Sequence, residues 1–369
     1  MPNLNTGGVE RGVVDFNRHL VLKGHSSFVI SGGGWQEYKV EADGGTHISL
    51  NIGRKNPLTF LRAFSLARKI EEIQPDIIHI RSRAPAWVLL LALKITRYSK
   101  PLTVSTFHGL YSVGFYSSVM ARFDQAIAIS KTVESYILQN YRNLLKNKPE
   151  LIYRGSDSDY FYSNFEASNQ YIEEFNNRFP RSSDSRLITM PGRLSRRKGQ
   201  IEFIDLIKRL PPEYIGLILG PLDSASKTYL RDLKQKIKHE SLQSRVYFYN
   251  AIHDLREIIS LSDLVVNLSQ KPETFGRTIL EAAMMGKKIC GWDSGGVGEV
   301  LGLFFPQGKV EKNNIDALAQ TVQHLCNRPK SPSNIHLTSN LMHENTISLY
   351  KKLLSQRSNN SNLLQDKTL

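Results

Sequence analysis

Cysteine is almost absent from this chain, with two residues, Cys290 and Cys326, among 369. A disulfide scaffold is therefore not expected, and a reducing compartment fits. Cys290 falls in an apolar run of strand length and Cys326 in one of helical period, so both read as core thiols. Long apolar runs are missing too. The longest, Trp87 to Leu93, is bounded by Pro85 and Lys94 and falls far short of the roughly 20 residues that span a bilayer. The opening stretch, Met1-Pro-Asn-Leu-Asn-Thr-Gly-Gly8, has no apolar run behind a charge, so no secretory signal is read there. A cytoplasmic protein is expected, or one peripheral at the inner face of the cytoplasmic membrane. Acidic side chains are also in short supply, with 34 Asp and Glu against 48 Lys and Arg, a net charge of +14. That balance implies an anionic partner: acidic lipid, anionic glycolipid, nucleotide phosphate and nucleic acid all have the right sign.

A chain of this length exceeds one ordinary core, and two domains facing a cleft are expected. Strand-length apolar runs alternate with helical patterns in two series. The first places strands at 27–31, 77–80, 102–106 and 125–129, with helices at 57–73, 86–96 and 131–145. The second places strands at 187–191, 214–219, 246–249, 264–268 and 288–292, with helices between them, one at 224–239. This rhythm predicts an α/β protein with helix-covered parallel sheets. An amino-terminal domain at 1–160, a polar linker region at 161–186 and a carboxy-terminal domain at 187–330 follow. A last helix at about 339–355 is free to pack back onto the first domain, and the polar tail 356–369 is expected to be disordered.

The chemistry concentrates in three loops. Lys271 to Gly286 holds two carboxylates, Glu273 and Glu281, around a predicted helix start. If both were helical they would stand roughly 12 Å apart along the axis, so Glu273 belongs on the entering loop. Glu281 then lies one turn beyond Arg277 and Thr278, on the exposed side. The free backbone donors from Phe275 through Gly276 and Arg277 to Thr278 favour a phosphate. Pro191 to Gly199 gathers Arg193, Arg196, Arg197 and Lys198 between a strand and a helix, where guanidinium and ammonium groups can grip phosphate oxygens. A solvated basic turn is the plainer reading of that loop alone. Gly7 and Gly8 let backbone amides approach a diphosphate, or form an ordinary tight turn. His108, between a strand and Gly109, has no second histidine at ligand spacing, so a core residue or a cleft donor is expected rather than a metal ligand. Arg81 and Arg83 follow the strand that ends at Ile80 and could meet an anionic acceptor.

These motifs resemble those of family 4 glycosyltransferases of the two-domain GT-B type. The matching residues are Gly7-Gly8 with Glu10-Arg11-Gly12, Phe107-His108-Gly109, Ala128-Ile129-Ser130, Arg154-Gly155 with Asp157, Gly192-Arg193 with Arg197-Lys198-Gly199, and Glu273-Thr274-Phe275-Gly276 through Glu281-Ala282. The resemblance implies two Rossmann-like, doubly wound domains and a retaining, metal-independent glycosyltransferase. It needs no cofactor, and takes a nucleoside-diphosphate sugar as co-substrate. By the same resemblance Arg193 and Lys198 hold the donor diphosphate, and the Phe275–Thr278 backbone holds sugar and phosphate. Glu281 binds the nucleotide ribose, and Glu273 binds the transferred sugar. His108 faces the reacting carbon, and Gly7 and Gly8 close over the diphosphate. The nucleotide base is expected near the backbone of 247–251. An anionic glycan or glycolipid acceptor is implied, as in lipopolysaccharide core or other surface-glycan assembly, with contact to an acidic membrane surface; nucleic acid is not expected as a partner. The alternatives are a nucleotide-sugar epimerase of the same fold and a truncated, inactive homologue acting as a binding protein. One departure stands out, because family members carry an apolar strand before the glycine loop and here that first strand is missing. Its loss should leave two neighbouring strands without a partner and open a cavity; an upstream start, or a decaying gene, is expected to explain it.

Overall fold

A computed structural model describes residues 1–5, 7–54, 56–98, 101–180, 182, 184–221, 227–250, 255–328 and 330–365. The chain divides into two compact units, Met1–Tyr153 with Asn340–Leu369, and Arg154–Ser339.

The first unit carries strands β1 (Phe28–Ser31), β2 (Thr46–Ser49), β3 (Ile77–Ile80), β4 (Leu102–Phe107), β5 (Gln125–Ala128) and β6 (Glu150–Leu151). Its helices are α1 (Gly8–Leu22), α2 (Glu37–Ala42), α3 (Arg62–Ile73), α4 (Arg83–Ile95), α5 (Phe115–Ser118) and α6 (Lys131–Tyr141). Every strand pairing is parallel, in two separate sheets, β1-β2 and β3-β4-β5-β6. Residues Thr103 to Phe107 of β4 and all of β5 are buried, as parallel strands covered on both faces require. Helix α6 begins where Ser130 caps it, the hydroxyl accepting from the Val133 amide at 3.1 Å. Strand β2 was not legible in the sequence, being four residues long and lacking an apolar run. Between the two sheets lies a cavity of about 570 Å³, and among the described residues β1 and β3 each pair on one edge.

The second unit holds β7 (Arg186–Pro191), β8 (Tyr214–Leu219), β9 (Val246–Tyr249), β10 (Leu264–Asn267), β11 (Lys288–Trp292) and β12 (Lys309–Val310). Its helices are α7 (Asn169–Arg178), α8 (Gln200–Arg209), α9 (Lys227–His239), α10 (Leu255–Leu261), α11 (Arg277–Met284), α12 (Gly295–Phe304) and α13 (Ile315–Cys326). One parallel sheet runs β12-β11-β10-β7-β8-β9, so β7 lies between β8 and β10 and the strand order reverses there. In such sheets ligands collect outside the carboxyl ends of the strands that flank the reversal. The stretch read as a linker is instead part of this unit. Phe175 and Phe179, at the end of α7, pack with Leu187, Ile215, Leu217 and Ile258, so two aromatic anchors outweigh a polar average composition. The expected start of α9 at Ser224 falls outside the described residues.

The chain ends in α14 (Ser339–Gln365), which belongs with the first unit. Leu349 and Leu353 pack with Val104, Ile127 and Ile152. The helix runs past the predicted end near 355, because no Gly or Pro interrupts it and the Ser355 and Ser358 hydroxyls donate to the Lys352 and Leu354 carbonyls within the helix. The tail taken as disordered is thus helical to Gln365, and 366–369 lie outside the described residues. Tyr350 on α14 stands 2.5 Å from His79 Nδ1, whose Nε2 is 2.6 Å from the Thr106 hydroxyl. Burial, then the charge of Arg81, pushes His79 well below the usual imidazole range. His343, packed against Phe16 and His19, is pushed down to about 3, by burial first and then by His19 and Arg81. Both imidazoles stay neutral in the fold, whereas the unfolded chain takes up a proton on each near pH 6.5. Stability is complete above that pH and is lost as pH falls below it. Urea unfolding followed by amide exchange in the first unit should have a midpoint that drops from about pH 7.5 to about pH 5, with a slope approaching ~1.4 kcal/mol per pH unit for each imidazole. His343→Met should remove its share of that slope, and a midpoint independent of pH would contradict this account.

Candidate functional site

The basic loop leaves β7 at its carboxyl end and enters α8 through Gly199. That residue has φ of +85°, and a Cβ there would stand 2.1 Å from the Leu268 carbonyl oxygen. Glycine therefore lets the loop lie directly against the end of β10. The Gln200 side chain donates to the Arg193 carbonyl at 3.0 Å, and the Arg197 carbonyl accepts from the Gln270 amide at 2.8 Å. The loop's cations have different tasks. Arg196 turns to Asp232, 2.7 Å away, and covers the Tyr229 ring, while the Arg193 and Arg197 side chains are exposed. Lys198 reaches across to the next loop.

There it meets Glu273, with Nζ and Oε1 2.7 Å apart. The same carboxylate oxygen accepts from the Asn267 amide group at 3.2 Å and from the Ser269 hydroxyl. Burial pushes the Glu273 carboxyl up, but Lys198, Ser269 and Asn267 together outweigh it and hold the group below the usual carboxylate range. Its backbone is fixed as well: the Gly296 amide at the start of α12 donates to the Glu273 carbonyl at 2.8 Å. A Cβ on Gly296 would come within 2.4 Å of Phe275 Cα, so two glycines, Gly295 and Gly296, let the start of α12 lie against this loop.

Helix α11 begins at Arg277, which leaves Glu273 on the entering loop as its spacing required. Gly276 precedes the helix with no side-chain cap, and the Arg277 amide turns back to the Phe275 carbonyl at 2.7 Å; the start of a helix is where an anion is favoured. Thr278 lies 3.4 Å from the Asn267 amide group. Glu281 corrects the expectation of an exposed residue, being only 2% exposed. All positions from Ile279 to Met284 are buried, since α11 packs between β10, β11 and α12 and has no solvent side at that turn. Arg277 Nε holds the Glu281 carboxylate at 2.7 Å and the Ser156 hydroxyl lies at 3.4 Å. Burial still prevails over Arg277 and raises the Glu281 carboxyl above its ordinary value.

Lys198, Glu273, Gly276 and Thr278 thus meet around the carboxyl ends of β7 and β10, with the Arg277–Glu281 pair one turn further along α11. Gly7, Gly8 and His108 belong to the other unit. Gly7 precedes α1, whose first residue is Gly8, again without a side-chain cap. His108 follows β4, half-buried, and its amide donates to the Tyr111 hydroxyl at 3.2 Å. Arg83 is engaged within that unit, bonded to the Ser117 hydroxyl at 2.9 Å and stacked 4.5 Å from the Tyr111 ring. Arg81 covers the Phe16 ring at 5.2 Å. The base-binding stretch runs along β9 and beyond, and Ala251 lies outside the described residues. Asn267, Ser269 and Ser156 were missed in the sequence. The signal for Asn267 was available, as a polar residue closing the buried apolar strand Leu264-Val-Val-Asn267. Ser156 is brought to Glu281 by a β-bridge to Thr338 that no local pattern announces.

A parallel α/β unit with a cationic loop and an uncapped helix start at its strand reversal is of the class that binds nucleotide-linked groups. Residues 6–160 match the model of Glycosyltransferase Family 4 and residues 172–339 that of Glycosyl transferases group 1. The chain belongs to the family 4 glycosyltransferases and has the GT-B fold. A glycosyltransferase from Rickettsia africae ESF-5 is 28% identical, with a TM-score of 0.83 over 95% of this chain and 97% of that one. HepE from Anabaena, solved with UDP and glucose, shares the fold at 20% identity and a TM-score of 0.71, over 98% of this chain and 96% of that one. Mannosylfructose-phosphate synthase of Agrobacterium fabrum is 30% identical over 171 residues, 44% of this chain and 36% of that protein. The chain spans less than half the length of the curated relatives it matches.

Two substitutions test this geometry. Lys198→Met leaves Glu273 with the burial that raises its pKa and without the cation that lowers it, so a carboxyl NMR titration should shift upward; an unchanged titration would show that the ion pair does not form. Gly199→Ala should lower unfolding stability by about 2 kcal/mol or more, since both the backbone angle and the Leu268 carbonyl oppose a side chain.

Proposed function

We propose that the chain transfers a glycosyl group from a nucleoside-diphosphate sugar to a glycan or glycolipid acceptor, with retention of anomeric configuration and without a metal. The observation that carries this reading is the Lys198–Glu273 pair beside the uncapped start of α11. Departure of a nucleoside diphosphate needs its growing negative charge met by fixed positive potential. Arg193, Lys198 and the amides of Phe275, Gly276, Arg277 and Thr278 supply that potential. Lys198 is tied to Glu273, and a diphosphate competes for the ammonium. Once Lys198 turns to phosphate, the Glu273 carboxylate is available to accept from a hydroxyl of the transferred sugar. Glu281, oriented by Arg277, takes the ribose hydroxyls. By resemblance His108, Gly7 and Gly8 serve the same reaction from the first unit.

The test is product analysis with labelled donor after a thermal-shift panel of UDP, GDP, ADP and CMP has chosen the base. The cognate nucleotide at about 100 times its dissociation constant should stabilise the chain by about 2.7 kcal/mol. Labelled sugar should appear on the acceptor, with unchanged turnover in EDTA. Lys198→Ala and Arg193→Ala should each lower kcat/KM by about 10²–10³-fold. An isomerised sugar with free nucleotide and no transfer would assign an epimerase instead, and turnover that survives both substitutions would sink the reading.

An acidic membrane-bound acceptor, such as a lipopolysaccharide-core or other surface-glycan precursor, is the acceptor class we propose. It suits the net charge of +14 and an exposed stretch of the first unit, where Leu58, Phe60, Leu61 and Phe64 stand beside Arg54, Arg62 and Arg68. Vesicles with anionic lipid should sediment the protein and release it as salt rises, whereas neutral vesicles should not. Equal binding to both would remove the electrostatic part of the proposal, and transfer to a soluble sugar phosphate alone would replace the acceptor.

A further inference from the structure

Strand β4 delivers His108 to the carboxyl end of its parallel sheet, the end where ligands collect in such folds. Its ladder with β5 ends at Phe107 opposite Ala128, so the His108 amide lies beyond the strand pairing and needs another acceptor. Tyr111 supplies it. The chain turns back within three residues, and the Tyr111 hydroxyl accepts from the His108 amide at 3.2 Å. Gly109 makes room for that turn, since a Cβ there would stand 3.0 Å from Tyr111 Cε1. Burial holds the Tyr111 phenol above its ordinary value, against the opposing pull of the His108 amide and Arg83, so the hydroxyl keeps its proton at neutral pH.

Tyr111 is itself held at its carbonyl and on its ring. The carbonyl accepts from the Tyr136 hydroxyl on α6 at 2.5 Å. The ring packs beside Phe107, with centroids 5.8 Å apart, and the Arg83 guanidinium at the start of α4 covers it at 4.5 Å. Arg83 is steadied in turn by the Ser117 hydroxyl at 2.9 Å and by the Tyr116 ring at 5.3 Å. A guanidinium can stack on a ring and bond a hydroxyl at once, because it is a planar plate with donors at its edge. Residues 112–116 that follow are exposed, whereas Tyr111 is half-buried, so the fixed point of the loop is the residue that touches His108. We propose that Tyr111 is a positioning residue of the transfer reaction, setting the place of His108 through the hydroxyl–amide bond, and that Arg83 acts through Tyr111. The inference rests on the reading that places His108 at the reacting carbon.

Tyr111→Phe keeps the ring and its packing and removes only the hydroxyl. In the labelled-donor assay it should lower kcat by about tenfold or more while the donor KM stays within about twofold, since a small displacement at a reacting centre costs rate rather than binding. Amide exchange at His108 in the protein alone should quicken by about tenfold or more in the same variant. Arg83→Lys should lower kcat in the otherwise unaltered chain and take nothing further in the Tyr111→Phe background. Unchanged exchange at His108 in Tyr111→Phe would overturn the proposal, and an inactive His108→Ala beside it would leave the reading of His108 standing. Quickened exchange with kcat unchanged in both Tyr111→Phe and His108→Ala would overturn that reading, and the reaction role of Tyr111 with it. Additive losses in the double variant would overturn the action of Arg83 through Tyr111.

Discussion

Lys198 and Glu273 meet because β7 and β10 are neighbours in one parallel sheet, and the candidate site depends on that adjacency. The Gly199 turn sets the basic loop against the Leu268 carbonyl, at the end of β10. The glycines that open α12 set the other side, by letting its first turn bond the Glu273 carbonyl. Side chains remote in sequence then share one carboxylate oxygen. Parallel topology does the gathering, since every strand delivers its following loop to the same end of the sheet.

The charges in this arrangement are held in unlike ways. Glu273 is partly open and overcompensated, with an ammonium and two neutral donors, so it stays ionised and can exchange partners. Glu281 is closed in and only partly compensated by Arg277, so it is fixed in place. A loose carboxylate beside a cation and a locked one a turn away suit a ligand with phosphate at one end and hydroxyls at both sides. The donor we propose, a sugar joined through diphosphate to a nucleoside, has that form.

Much of the fold was legible in the sequence. The strands whose residues are buried on both faces, such as Leu264-Val-Val-Asn267 and Tyr214-Ile-Gly-Leu-Ile-Leu219, announce themselves as continuous apolar runs. The loops after them carry their chemistry as residue type and spacing. Short strands without such runs, β2 and β12, could not be read. Nor could the burial of Glu281, because helical period gives a face and not what covers it; α11 is enclosed all round by elements from elsewhere in the chain. The segment 161–186 misled for a related reason: its few aromatics, Phe175 and Phe179, carry the packing, and average polarity hides them. Among the pairs that shape the candidate site, Ser156 with Glu281 rests on a tertiary bridge that only the fold supplies.

The most direct measurement is a crystal structure of the protein with a nucleoside diphosphate bound. The account predicts phosphate oxygens within hydrogen-bond distance of Lys198 Nζ and of the Phe275–Thr278 amides, with Lys198 drawn off Glu273 and the ribose against Glu281. A diphosphate bound elsewhere, with the Lys198–Glu273 pair intact, would contradict it.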